Sequence, residues 1–121
     1  MSNLKVLLVD DEEELVTTLV ERLQWRGLQA TAVTSGPAAM ERLRQEHFDV
    51  AVIDLKMPGI DGLELRDLIS QEFPTVRVFL ATGHGRDSTN TEALPENEQE
   101  ILLKPFSIDT LINLITRNQS E

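Results

Sequence analysis

Val50-Ala51-Val52-Ile53-Asp54-Leu55-Lys56-Met57-Pro58-Gly59-Ile60-Asp61-Gly62 runs from an apolar segment through a turn into a helix start. Its first four residues are apolar without a polar break, which marks a strand covered on both faces, as in the middle of a parallel sheet. Asp54 closes that strand, and Pro58-Gly59 turns the chain. Asp61 can then cap a helix whose inner face carries Leu65, Leu68 and Ile69 and which closes before Pro74.

The same alternation of strand and helix extends in both directions. Toward the N-terminus, Leu4 to Val9 is a β-rich run. A helix with the stripe Leu15, Val16, Leu19, Val20 and Leu23 follows and ends at Gly27, with Trp25 expected to pack at its end. Leu28 to Val33 alternates apolar and polar residues, as a half-exposed edge strand does. Pro37 then opens a helix carrying Met40 and Leu43.

Toward the C-terminus, Val76 to Ala81 and Ile101 to Leu103 read as two more strands. Ser107 caps a last helix with Ile108, Leu111, Ile112 and Ile115. Gly83 to Gln99 should hold the fourth of five helices. Gly83, Gly85, Asn90, Thr91 and Pro95 are poor helix formers, so that helix is expected to be short or irregular. Right-handed crossovers then give an α/β, flavodoxin-like, doubly wound (βα)5 sandwich with parallel sheet order 2-1-3-4-5.

With 121 residues and 40% apolar content the chain suffices for one domain with its own core. The absence of cysteine excludes thiolate metal sites, a cysteine nucleophile and disulfides. The net charge of −10 makes direct binding to nucleic acid or anionic membrane unfavourable. No leader or membrane span is evident, so the cytoplasm is the expected location.

In an open parallel sheet, ligands bind beyond the carboxyl ends of the strands. At that edge the first strand ends in Asp10-Asp11, the third in Asp54, the fourth in Thr82 and the fifth in Lys104. Each residue has an ordinary explanation alone: acids suit helix N-termini, an Asp starts a turn, and Thr and Lys are common at strand ends. Their convergence on one edge suits phosphoryl transfer to a carboxylate. A hard cation such as Mg²⁺ would offset the three acids, Asp54 would act as nucleophile, and Thr82 and Lys104 would face phosphoryl oxygens. His47 and His84 lack the companions a metal site needs, and no Gly-Lys-Ser/Thr phosphate loop or Gly-x-Ser-x-Gly motif is present.

On these motifs the chain resembles the receiver domain of two-component response regulators over essentially its whole length. The matching pieces are Leu8-Val9-Asp10-Asp11-Glu12, the Asp54 to Gly62 segment, Ala81-Thr82-Gly83 and Lys104-Pro105-Phe106. The resemblance implies that residues 1–121 form a single receiver domain, with no effector domain in this chain. It implies Asp54 as phospho-acceptor, with a sensor histidine kinase or histidine phosphotransfer protein as donor. Asp11, Asp54 and the Lys56 backbone carbonyl would bind Mg²⁺ directly, and Asp10 through a water. Thr82 and Lys104 would hold the phosphoryl group, and the Lys104–Pro105 bond would be cis.

The switch positions by the same resemblance are Thr82 and Ile101, where the family often carries an aromatic in place of Ile101. The face made by the fourth helix, fifth strand and fifth helix would engage a downstream effector domain or protein, or form a phosphorylation-dependent dimer. With Ile101 present, phosphorylation is expected to order or shift residues 84–99, and His84 and Lys56 to tune the phosphoryl lifetime. Two other readings compete. An aspartyl-phosphate phosphohydrolase of the haloacid-dehalogenase type would want a second Asp where Lys56 stands. A pseudo-receiver would not need the intact acids, Thr82 and Lys104.

Overall fold

The computed structural model describes residues 4–57, 59–82, 101–103 and 106–117. In chain order the elements are β1 (Lys5–Val9), α1 (Glu13–Trp25), β2 (Gln29–Val33), α2 (Gly36–Gln45), β3 (Val50–Asp54), α3 (Gly62–Glu72), β4 (Arg77–Thr82), β5 (Ile101–Leu103) and α4 (Ile108–Arg117). The strands form one parallel sheet of order β2-β1-β3-β4-β5. The doubly wound topology expected from the sequence is therefore present. The irregular helix expected between β4 and β5 lies outside the described residues.

Strand parity explains why the central runs are continuously apolar. Val6 and Leu8, Val50 and Val52, and Phe79 and Ala81 belong to a cluster with Val16, Leu19 and Leu23 of α1 and Leu111 and Ile115 of α4. Their neighbours Leu7 and Val9, Ala51 and Ile53, and Val78 and Leu80 belong to a second cluster with Ala39, Met40 and Leu43 of α2 and Leu65 and Ile69 of α3. Successive side chains point to opposite faces, so a strand covered on both sides has no position to spare for a polar residue. The edge strand β2, by contrast, is only half-buried along its length.

The helix starts follow the expected chemistry. Ser35 Oγ accepts the Ala38 amide with Pro37 in the first turn, Asp61 Oδ1 accepts the Glu64 amide at 2.9 Å, and Ser107 Oγ accepts the Thr110 amide at 3.0 Å.

Two expectations about helix faces need correction. Leu68 is 43% exposed rather than part of the inner face of α3. The buried stripe runs through Gly62, Leu65 and Ile69, and at about 100° per residue Leu68 falls on its flank. Trp25 is 79% exposed and does not pack at the end of α1. It stands two residues after the buried Leu23, about 200° around the helix, and so faces water.

Candidate phosphorylation site

The site grows from the carboxyl ends of the two central strands. β1 pairs with β3 up to Val9 opposite Ile53, so the next residues along each strand, Asp10 and Asp54, emerge side by side. Asp10 stays tied to the sheet because its amide donates to the Val33 carbonyl of β2 at 3.1 Å. Across the other side of β3, Asp54 pairs with Ala81, and Thr82 pairs with Leu103 of β5.

Among the described residues, Asp10, Asp11 and Asp54 form the one acidic group that could hold a metal ion. Their carboxylate oxygens lie within 4.8 Å of one another. Asp10 and Asp54 are buried, with 6% and 7% of their surface exposed, while Asp11 is exposed. Thr82 is buried as well, at 4%. Two buried carboxylates beside a third repel strongly: at an effective dielectric constant near 20, a pair 4.8 Å apart costs about 3.5 kcal/mol. Such an edge suits a compensating positive charge.

The first turn of α1 orients one member of the trio. Glu12 holds the N-cap position without a side-chain cap, and its amide donates to Asp10 Oδ1 at 2.9 Å. One oxygen of Asp10 is thus committed to the backbone. Glu13 and Glu14 occupy the first turn, where acids suit the helix dipole.

A glycine that composition and spacing left without a role turns out to matter. The chain leaves β3 at Asp54, makes the loop containing Lys56 and Met57, and returns at Gly62, whose amide donates to the Leu55 carbonyl at 3.0 Å. A Cβ at Gly62 would lie 2.8 Å from the Asp54 carbonyl oxygen and 2.8 Å from Leu55 Cα. It closes the Asp54 to Gly62 segment that carries part of the family resemblance, but such a pattern does not reveal which backbone it will touch.

Of the residues expected at the site, Asp10, Asp11, Asp54 and Thr82 gather at one edge, and Lys56 follows Asp54 by two positions. Ile101 begins β5, opposite Leu80 of β4. Lys104, the Lys104–Pro105 bond and His84 lie outside the described residues. His47 sits at the opposite end of the sheet, where its Nε2 contacts Asp49 Oδ1 at 3.1 Å.

Comparison with known proteins agrees with this geometry. Residues 6–116 match the response regulator receiver domain family. The response regulator protein FleR of Pseudomonas aeruginosa is 36% identical over 114 residues, covering 94% of this chain and 24% of FleR. The chain thus spans about a quarter of that relative's length. The Francisella response regulator 1452 receiver domain superposes with a TM-score of 0.82 at 26% identity, covering 98% of this chain and all of that one. TrrA of Thermotoga maritima, solved in complex with Mg²⁺-BeF, superposes with a TM-score of 0.76 at 28% identity, covering 94% and 97% of the two chains. With the sheet order, the clustered acids and the family match over residues 6–116, this chain belongs to the response regulator receiver domains of two-component signal transduction.

Proposed function

We propose that the domain is a phosphorylation-dependent switch in which Asp54 accepts a phosphoryl group from a sensor histidine kinase or a histidine phosphotransfer protein, with Mg²⁺ required. One observation carries the reading. Asp54 ends the central strand in a buried position, with the carboxylates of Asp10 and Asp11 within 4.8 Å.

The donor set fits a hard divalent cation. It is all oxygen, rich in negative charge and partly open to water through the exposed Asp11. Asp11, Asp54 and the Lys56 carbonyl would hold Mg²⁺ directly, with Asp10 acting through a water. The committed Oδ1 of Asp10 is compatible with that outer role. The Mg²⁺-BeF complex of TrrA supports a Mg²⁺ site by likeness. When bound, the ion would offset the charge of the incoming phosphoryl oxygens.

A carboxylate oxygen of Asp54 attacks the donor's phosphorus, and the P–N bond breaks with its electron pair returning to the imidazole. The Thr82 hydroxyl donates to one phosphoryl oxygen, and the Lys104 ammonium meets another. Thr82 and Ile101 then form the switch, and residues 84–99 order or shift in response. The surface formed by those residues, β5 and α4 engages an effector domain or protein, or a second copy of the chain.

The domain assists only its own phosphorylation and dephosphorylation, acts in the cytoplasm, and does not itself bind nucleic acid. No described helix is long and apolar enough to cross a membrane. The test is incubation with Mg²⁺ and acetyl phosphate, followed by intact-mass measurement. A single-phosphoryl adduct absent from Asp54→Asn supports the switch. Turnover of many donors without an adduct supports a hydrolase instead.

A further inference from the structure

We infer that Gly62 is a positioning residue for the cation site, fixing the backbone from which the Lys56 carbonyl is presented; the inference rests on the Mg²⁺ reading above. Leu55, the residue before Lys56, is held at both of its backbone groups. Its amide donates to the Ala81 carbonyl of β4 at 2.7 Å, and its carbonyl accepts the Gly62 amide of α3 at 3.0 Å. Leu55 is therefore clamped between a strand and a helix start, and its carbonyl fixes the peptide that leads into Lys56.

Only a residue without a Cβ can make the second half of that clamp. A Cβ at Gly62 would approach the Asp54 carbonyl oxygen and Leu55 Cα to 2.8 Å each, and both neighbours are backbone rather than yielding side chains. Such contacts must open toward ordinary van der Waals separations, roughly 3.5–4.0 Å between carbon atoms. The movement falls on Asp54 and Leu55 themselves, the two residues that lead into Lys56. Mg²⁺ tolerates little displacement, because it demands near-ideal octahedral geometry at about 2.0–2.1 Å.

Gly59 supplies the contrast. It lies in the same loop with φ +91°, yet a Cβ there would meet nothing within 4 Å. Alanine at Gly59 strains its own backbone without pressing on Asp54 or Leu55. A purely structural glycine role would predict similar behaviour at both positions; a positioning role at Gly62 predicts a split.

The experiment titrates Mg²⁺ into the wild type, Gly62→Ala, Gly59→Ala and Asp54→Asn by calorimetry, with folding checked by circular dichroism. Gly62→Ala should bind Mg²⁺ at least about tenfold more weakly, the usual size of a lost support behind a metal ligand. Gly59→Ala should keep wild-type affinity while lowering the unfolding temperature. Wild-type affinity in folded Gly62→Ala, or equal weakening in both glycine variants, overturns the inference.

A second measurement on the wild type needs no substitution, should Gly62→Ala fail to fold. Because coupling is reciprocal, Mg²⁺ must slow hydrogen exchange at the Gly62 and Leu55 amides. Unchanged exchange with Mg²⁺ bound overturns the inference. A wild type that does not bind Mg²⁺, or an Asp54→Asn variant that binds it equally well, overturns the cation reading underneath, a failure distinct from the glycine result.

Discussion

The Leu55 amide donates to the Ala81 carbonyl at 2.7 Å, carrying the β3–β4 ladder one step past Asp54. The proposed acceptor and the buried Thr82 that follows Ala81 therefore belong to one rigid piece of sheet. Adding a phosphoryl group at Asp54 cannot be absorbed by sliding β3 against β4. Under the proposed function the response passes instead through side chains such as Thr82.

Replacing Asp54 with Asn should stabilise the Mg²⁺-free protein while abolishing phosphorylation. The substitution removes one of three carboxylates within 4.8 Å of one another, relieving repulsion on the order of 1–3 kcal/mol after solvent screening. Urea denaturation at neutral pH with EDTA checks this. A large destabilisation would show that the acids are already balanced by other means.

Mg²⁺ should raise the unfolding midpoint of the wild type and leave Asp54→Asn nearly unmoved. A ligand at ten times its dissociation constant contributes about 1.4 kcal/mol to the folded state. Thermal melts with Mg²⁺ against EDTA measure it, with Ca²⁺ as a test of the cation's size preference.

A buried and an exposed aromatic residue should separate cleanly. Phe79, with 2% of its surface exposed, should cost about 3–5 kcal/mol on replacement by alanine. Trp25, 79% exposed, should cost within about 0.5 kcal/mol, and its fluorescence should be that of a water-exposed indole before and after Mg²⁺ is added. Urea titrations and emission spectra test the pair.

At the far end of the sheet, Glu46 accepts from Lys5 Nζ at 2.8 Å and from Arg42 Nη2 at 2.8 Å. The Lys5 hydrogen bond, helped by the charges of Lys5 and Arg42, holds the Glu46 carboxyl below its ordinary value of 4.5. A folded-state value below the unfolded one means the contribution is present above the ordinary carboxylate range. It fades as pH falls through that range toward the lower folded value. The difference in urea midpoint between wild type and Glu46→Gln should be constant at neutral pH and shrink under acid. A difference that grows on acidification would reverse the assignment.

Legibility from sequence followed how local the physics was. Val50 to Ile53 announced a doubly covered strand because burial on both faces removes alternation, and the two core clusters repeat that parity residue by residue. Asp10, Asp11, Asp54 and Thr82 were readable because strand ends in a parallel sheet share one edge. Leu68 and Trp25 were misread because an apolar residue near a helix stripe is not thereby on it; one residue's rotation carries Leu68 to the flank and two carry Trp25 to the water side. Gly62 was invisible as a positioning element because its approach to Asp54 and Leu55 is a tertiary contact between chain segments seven or eight residues apart. The orienting role of the Glu12 amide was hidden for a related reason: five consecutive acids suggest charge, not which backbone group one of them accepts.

Whether Asp54 carries the phosphoryl group is decided by locating that group chemically. Protein treated with Mg²⁺ and acetyl phosphate is reduced with borohydride, which converts an aspartyl phosphate to homoserine, and then digested for tandem mass spectrometry. Homoserine is expected at position 54, dependent on both Mg²⁺ and the phosphodonor. Homoserine at Asp10 or Asp11, or none in a protein that has taken up the phosphoryl group, would contradict it.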